Sequence, residues 1–173
     1  MTTNLVERPV PGSMVLARLP VTPQPRAAWL GHLAVSKNAP EQARCQTGWF
    51  LRKNQDAPDA NLIDVAVLLI SELVTNAYTA MAAYDALAGQ APPALIDFSI
   101  RLFTDRVLIE VVDSSSKVPV NKGPVDGVTE SGRGLGIVED LSDDWGYFFH
   151  DGRKVVYAIL PIEPDSGASS HDQ

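Results

Sequence analysis

The feature that most constrains this chain is a long apolar segment, Leu62 to about Leu87, whose spacing predicts a single helix. Its polar residues fall on two separate stripes. One stripe is interpreted as the solvent face: Asp64, Ser71 and Thr75. The other lies about 100° away and borders the apolar residues: Glu72, Asn76 and Thr79. Because the helix already has a solvent face, the second stripe is free to serve another purpose.

Shorter patterns on both sides predict a mixed α/β chain. Asp59 or Asn61 can cap the long helix, and Asn38 can cap an earlier helix with Pro40 and Glu41 in its first turn. The predicted strands are Trp29–Val35, Ala94–Phe103, Arg106–Val112, Trp145–Phe149 and Val155–Leu160. Asp151-Gly152 is the predicted turn between the last two strands. The earlier helix is predicted to end near Lys53, and a short third helix to span Leu135–Leu141. These elements predict a two-layer α/β sandwich, with a mixed, mainly antiparallel sheet and helices on one face.

Composition narrows the class of protein. The formal net charge is −7 and no basic run occurs, so direct binding of nucleic acid is not expected. The single cysteine, Cys45, excludes an internal disulfide and favours a reducing compartment. The longest apolar run in the middle of the chain, Val65–Ile70, is too short to cross a membrane, and the N-terminus has no signal-peptide pattern. We therefore expect a cytoplasmic protein with no membrane segment.

The chain divides into three parts by composition. Residues 1–25 contain five prolines, which predict an extended, proline-rich arm. Residues 26–162 are expected to form one folded domain, and residues 163–173 a flexible tail. Inside the domain, a loop runs from Ser114 to Gly134, and loops of this length are usually functional or disordered.

Three groups of residues could carry chemistry. Glu72 and Asn76 project from one helical face, where a carboxylate can deprotonate a nucleophile and an amide oxygen can ligate Mg²⁺. Asp113 ends a strand, and its carboxylate can accept a hydrogen bond from an exocyclic amine such as that of adenine. Gly132-Arg133-Gly134-Leu135-Gly136 precedes a short helix, where free amides and the arginine can hold a phosphate.

Each group also has an ordinary structural interpretation, and these alternatives stay open on the residues alone. They are polar residues at the edge of a buried helix, an aspartate that starts a turn, and a flexible glycine hinge. Cys45 is interpreted as a small buried side chain. The larger aromatic residues are interpreted as core: Trp49, Phe50, Trp145 and Tyr157.

Taken in order, the motifs resemble the ATP-binding domain of the GHKL superfamily, and most closely the small anti-sigma-factor serine/threonine kinases of bacteria. Ser71-Glu72-Leu73-Val74-Thr75-Asn76-Ala77 is similar to the N box of that group. Glu130–Val138 is similar to its glycine box, and Trp145-Gly146 with Gly152–Tyr157 is similar to its closing hairpin. Ala43-Arg44 fits its first helix, so the resemblance covers roughly residues 28–161.

The resemblance implies a Bergerat fold that binds ATP and Mg²⁺ beneath a lid formed by the long loop. It implies Asn76 on Mg²⁺, Asp113 on the adenine amine, and five residues near the phosphates: Gly132, Arg133, Gly134, Leu135 and Gly136. Glu72 would be the general base that activates a serine hydroxyl of a partner protein. The implied partners are a sigma factor, an anti-anti-sigma-type protein, or both, and a homodimer stays open because dimers occur among the resembling kinases.

The leading hypothesis is an ATP-binding regulatory protein, an anti-sigma-factor serine/threonine kinase that phosphorylates an anti-anti-sigma protein on serine. The alternative is a non-catalytic regulator on the same fold that binds protein partners with weak or no ATP turnover. Two departures from the resembling group motivate the alternative. Tyr78-Thr79-Ala80 stands where that group often carries a basic residue or histidine, and Ser115 stands where many superfamily members have glycine.

Overall fold

The computed structural model describes residues 24–54, 58–88, 95–119 and 133–163. The elements, in chain order, are β1 (Ala27–Ala34), α1 (Ala39–Lys53), α2 (Ala60–Ala88), β2 (Leu95–Leu102), β3 (Arg106–Asp113), α3 (Arg133–Leu141), β4 (Asp144–His150) and β5 (Arg153–Pro161). Every predicted helix and strand is therefore present. Both α2 and α3 begin two residues earlier than predicted. The predicted N-terminal arm lies almost entirely outside the described residues, as do most of the long loop and nearly all of the C-terminal tail.

The five strands form one sheet in the order β1-β2-β3-β5-β4, and all four pairings are antiparallel. The three helices pack on one face of this sheet, so the predicted two-layer α/β sandwich is confirmed. The predicted hairpin between β4 and β5 is also confirmed. Asp151 and Gly152 both have positive φ, 48° and 73°, as a tight turn between twisted strands requires.

The core lies between the sheet and the two long helices. Strand β2 shows why: its alternate residues Ile96, Phe98, Ile100 and Leu102 face the helices and are almost fully buried. Helix α2 supplies much of the opposite surface. Its segment Ala60–Ala82 is long and apolar enough to cross a membrane, with a mean hydropathy of 1.5. Core helices share that property, and α2 packs against α1 and β3.

The other face of the sheet carries no described helix. A second apolar cluster lies there: Phe103, Leu108, Tyr157 and Ile159, with Phe148 packed against it. The same face holds two ionic groups. Glu110 bonds with Ser99 and Arg101, and Asp97 bonds with His32 and Arg153.

Helix α1 corrects two predictions about burial. Cys45 is exposed, and Trp49 is 49% exposed although its ring packs edge-on against Trp29. The reason is the phase of the helix: Ala43, Thr47 and Phe50 form its buried stripe, and a period of 3.6 residues leaves Cys45 and Trp49 outside that stripe.

A further correction concerns Ser71, which was expected on the solvent face of α2. It is buried, because α1 crosses α2 there and Arg44 Nη1 donates a hydrogen bond of 2.8 Å to Ser71 Oγ. The two caps also differ. Asp59 Oδ1 accepts the Leu62 amide at 2.8 Å, as predicted. Asn38 occupies the predicted cap position but makes no side-chain cap bond, because its backbone is already helical.

Candidate functional site

Helix α2 presents Glu72 and Asn76 from one face, one turn apart, toward the beginning of α3. Gly134 makes this approach possible. A Cβ at Gly134 would collide with Glu72 Oε2 and would lie 3.7 Å from Asn76 Nδ2. The missing side chain of Gly134 therefore brings the backbone of the glycine box directly onto the predicted base and the predicted Mg²⁺ ligand.

The beginning of α3 also gives this contact an electrostatic character. The first amides of a helix have no partner within the helix and carry a partial positive charge. The Glu72 carboxylate lies beside this end of α3. The positive end of α3 therefore attracts the Glu72 carboxylate and can attract a further anion.

The side-chain amide of Asn76 is incompletely bonded. Its Nδ2 is buried and has no hydrogen-bond partner among the residues described. Buried amides are normally paired, and leaving one unpaired costs about 1–3 kcal/mol. The Asn76 amide therefore retains hydrogen-bonding capacity that a polar ligand can use.

Asp113 lies at the end of β3, on the face of the sheet that the helices cover, and is 1% exposed. Its Oδ1 accepts the Ser115 amide at 2.7 Å, so the turn-starting role considered for this residue is real. Its Oδ2 is buried, and no described residue hydrogen-bonds to it. We call this atom the open oxygen of Asp113.

The open oxygen has a charged neighbour. Lys154 lies opposite Asp113 in the β3–β5 ladder, and its Nζ is 3.2 Å from Oδ2. This is an ion-pair distance, but the direction of the contact does not meet hydrogen-bond geometry. Lys154 Nζ instead donates to Ser115 Oγ at 2.6 Å and to the Lys117 carbonyl at 2.8 Å.

The remaining predicted site residues belong to the glycine box. Gly132 lies outside the described residues, and Arg133 begins α3. Leu135 is buried, while a Cβ at Gly136 would meet open space. The contacts thus bring together Glu72, Asn76 and Gly134, and they join Asp113 to Lys154 in a separate polar group.

No three histidine, cysteine, aspartate or glutamate side chains gather into a metal site within the described ranges. The predicted Mg²⁺ ligation therefore depends on the Asn76 amide together with oxygens of the nucleotide, and Mg²⁺ commonly binds through few protein ligands.

Sequence reasoning missed Lys154 as a partner of Asp113. A signal was present, because the alternation of β5 places Lys154 on the same face as the apolar residues Val156, Ala158 and Leu160. A lysine on a buried face needs an anionic partner. Asp113, at the end of a neighbouring strand, was the nearest candidate.

A cavity of about 230 Å³ opens on the helix-free face of the sheet. Its walls include Leu30, Phe148 and Val155, together with the two ionic groups of that face. Those charges are paired with one another, so Asp97 and Glu110 both have their partners within the protein. This cavity lies on the opposite side of the sheet from Asp113.

Comparison with known proteins bears on the fold. No protein-family model matches the chain, and no curated protein matches it. Solved structures do match. A crystal structure of the RsbU and RsbW domains of Rv1364c from Mycobacterium tuberculosis aligns with 81% of this chain, with a TM-score of 0.52 and 19% sequence identity. The chain spans 34% of that matched chain. At this identity the likeness shows a shared fold.

Proposed function

We propose that this protein is a cytoplasmic ATP-binding regulator of the anti-sigma-factor kinase type, which phosphorylates a serine of an anti-anti-sigma-type partner and binds a sigma factor. One observation carries the proposal. Asp113 Oδ2, the open oxygen, and Asn76 Nδ2 are both buried without a hydrogen-bond partner among the described residues, and they belong to the two residues that the resemblance assigns to adenine and Mg²⁺. Because buried polar atoms are normally paired, this coincidence favours a ligand with a polar edge.

The donor and acceptor types fit Mg-ATP. The open oxygen of Asp113 can accept a hydrogen bond from an exocyclic amine, and the Asn76 amide oxygen can enter the shell of Mg²⁺. The first turn of α3 offers amides to phosphate oxygens. Bound Mg-ATP supplies the phosphoryl group and neutralises part of its charge, so the protein is left mainly with positioning.

Glu72 has the position of a base in this proposal. Its carboxylate accepts the proton of the serine hydroxyl of the partner, while that oxygen forms a bond to the γ-phosphorus and the bond to ADP breaks. The contact between the Glu72 carboxylate and the beginning of α3 supports this role, because that end of the helix is where the proposal puts the phosphates.

The first experiment is calorimetric titration of Mg-ATP into the wild type and into Asn76→Ala. We expect binding to the wild type that depends on Mg²⁺ and falls at least about 10-fold in the variant, since one hydrogen bond to a charged group contributes about 1.5–3 kcal/mol. Asp64→Ala, a substitution on the exposed solvent stripe of the same helix, is the matched control and should bind as the wild type does. Absence of any binding at millimolar ATP would overturn the proposal.

A second experiment separates catalysis from binding. In Glu72→Gln, phosphate transfer to a purified anti-anti-sigma-type protein should fall by about 100-fold or more, whereas ATP affinity should change little, because a general base contributes about 10²–10⁴ to the rate. Full transfer activity in Glu72→Gln would remove Glu72 from the role of base.

The non-catalytic regulator remains the second candidate, and a specific observation favours it. Ser115 is buried beside Asp113, so its side chain takes up space that the glycine of many superfamily members leaves free. A site with less room for adenine could bind nucleotide weakly and still bind a protein partner. ATP binding without phosphate transfer to any partner would select this candidate.

A further inference from the structure

Lys154 is an unusual residue for its position. It is 4% exposed, and it begins the row of residues on the helix-covered face of β5 that continues with Val156, Ala158 and Leu160. Lysine is almost never so deeply buried unless it is paired, because removing an ammonium group from water is costly. The burial of the ammonium group therefore calls for an explanation beyond the packing that an aliphatic residue would provide.

The partners of the Lys154 ammonium group supply that explanation. Its ammonium group has three hydrogens, and two of them are used by Ser115 Oγ and the Lys117 carbonyl. The group stands 3.2 Å from the open oxygen of Asp113 without occupying it as a hydrogen-bond donor. Lys154 thus supplies a positive charge to the carboxylate and leaves its acceptor position available.

We propose that Lys154 is a positioning residue of the nucleotide site: it orients Asp113 toward the base and couples base binding to the first residues of the long loop. The inference rests on the proposed function, because it assigns a role within the same site. The inference adds to the site a residue of another strand, β5, and a hydrogen-bonded connection to the segment 115–119.

The orienting part follows from the two oxygens of Asp113. Oδ1 is held by the Ser115 amide at 2.7 Å, and Lys154 attracts Oδ2 from across the ladder. Both attractions act on one rigid carboxylate, so its plane is fixed before any ligand arrives. A preorganised acceptor loses less side-chain entropy when the base binds.

The coupling part follows from Ser115 and Lys117. Lys154 bonds to both, and Ser115 also bonds to Asp113, so a shift of the carboxylate changes the anchoring of this segment. The link consists of direct contacts within a few residues. A base that bonds to the open oxygen therefore changes the position or mobility of residues 115–119, where the predicted lid begins.

A double-mutant cycle tests the orienting role. The readout is Mg-ATP affinity, measured by calorimetry on the wild type, Asp113→Asn, Lys154→Met and the double variant. We expect losses of about 30-fold for Asp113→Asn and about 10-fold for Lys154→Met. The double variant should lose no more than about 30-fold, because a residue that acts through Asp113 has nothing left to orient.

Arg101→Met is the matched control, since it removes a cation that is paired with a carboxylate of β3 on the other face of the sheet. It should leave the affinity within about 2-fold of the wild type. Lys154→Met affinity equal to that of the wild type, or a double variant that loses the full product of about 300-fold, would overturn the positioning role. If the wild type itself binds no Mg-ATP, it is the proposed function that fails.

Hydrogen exchange tests the coupling and does not need nucleotide. In Lys154→Met, the amides of this segment, above all the Ser115 amide that bonds to Asp113, should exchange at least about 10-fold faster than in the wild type, while the amides of β2 keep their protection. Ser115→Ala serves as a second variant in case Lys154→Met does not fold, because it removes one anchor and leaves both charges in place. It should speed the same amides by a smaller factor. Unchanged exchange in both variants would overturn the link to the loop.

Discussion

Strand β3 carries two buried carboxylates three residues apart, and they are partnered in opposite ways. Glu110 points to the helix-free face and is 6% exposed, and one of its oxygens accepts bonds from both Ser99 and Arg101. Asp113 points to the helix-covered face and is 1% exposed, and it keeps an open oxygen beside a lysine. Glu110 has hydrogen-bond donors within the protein, whereas one oxygen of Asp113 has an ion-pair partner but no hydrogen-bond donor among the described residues.

The difference separates a structural carboxylate from one available for binding. A buried charge that uses its hydrogen-bonding capacity inside the protein contributes to folding and has little left for a ligand. An aspartate that is charge-paired and still has a free acceptor position retains hydrogen-bonding capacity for a ligand. Burial of a carboxylate is thus a poor guide to function, and the partners of its individual oxygens are a better one.

The largest expected effect comes from removing the structural carboxylate. Glu110→Gln leaves Arg101 with no counter-charge, and because Arg101 stays 20% exposed we expect a stability loss of about 2–3 kcal/mol, near the lower end for broken buried pairs. Urea denaturation followed by fluorescence measures this loss. Mg-ATP affinity should be unchanged.

Adding Arg101→Met to Glu110→Gln should restore part of the lost stability, because no unpaired charge remains. A loss of Mg-ATP affinity in Glu110→Gln as large as in Asp113→Asn would break the distinction between the two carboxylates.

An intermediate effect is expected from two glycines of α3. Gly136→Ala should raise stability by about 0.5–1 kcal/mol, since its Cβ meets open space and alanine favours the helix. Gly134→Ala gains the same helix propensity but must push the flexible end of Glu72 aside, so its stability should change by less than about 0.5 kcal/mol. Thermal unfolding of both variants gives the difference.

The same two glycine variants also test the candidate site at Glu72. Gly134→Ala displaces the Glu72 carboxylate and should lower phosphate transfer by at least about 10-fold even though the protein stays folded. Equal stabilisation by both alanines would show that the backbone of Gly134 is not pressed against Glu72.

The smallest effect concerns Asp97, another carboxylate of the helix-free face. Burial raises its pKa, but hydrogen bonds and charges from His32 and Arg153 outweigh that effect, and the pKa lies below its ordinary value of 3.8. The resulting stability is present above pH 3.8 and is lost as the pH falls through the lowered pKa. The free energy of unfolding should fall between about pH 5 and pH 2.5, and in Asp97→Asn this fall should be smaller by about 0.5 kcal/mol, as measured by urea denaturation. An equal loss of stability on acidification in the wild type and in Asp97→Asn would contradict the lowered pKa of Asp97.

Local signals were enough to predict the architecture. Alternation identified β2, Asp59 and Pro40 identified helix starts, and Asp151-Gly152 identified the hairpin, because each depends on neighbours in the chain. Ser71 was misjudged, since its burial depends on where α1 crosses α2. The pairing of Lys154 was missed for a similar reason. It depends on the register of β5 against β3, which is a tertiary property.

The candidate site was predictable in part. The helical period placed Glu72 and Asn76 on one face, but the contact of both with Gly134 depends on how α3 docks. The open oxygen of Asp113 could not be predicted, because sequence patterns identify residue types and not the hydrogen bonds of single atoms.

The Asp113–Lys154 pair has a consequence for how the chain folds. The two residues face each other near one end of the β3–β5 ladder, which joins the edge hairpin to the rest of the sheet. A slip by one residue would turn Lys154 to the opposite face, and a slip by two would move it away from Asp113. Either error would strand a charge in an apolar layer, at a cost of several kcal/mol. The pair therefore favours the native register of β5 against β3, because misaligned sheets that form during folding are less stable.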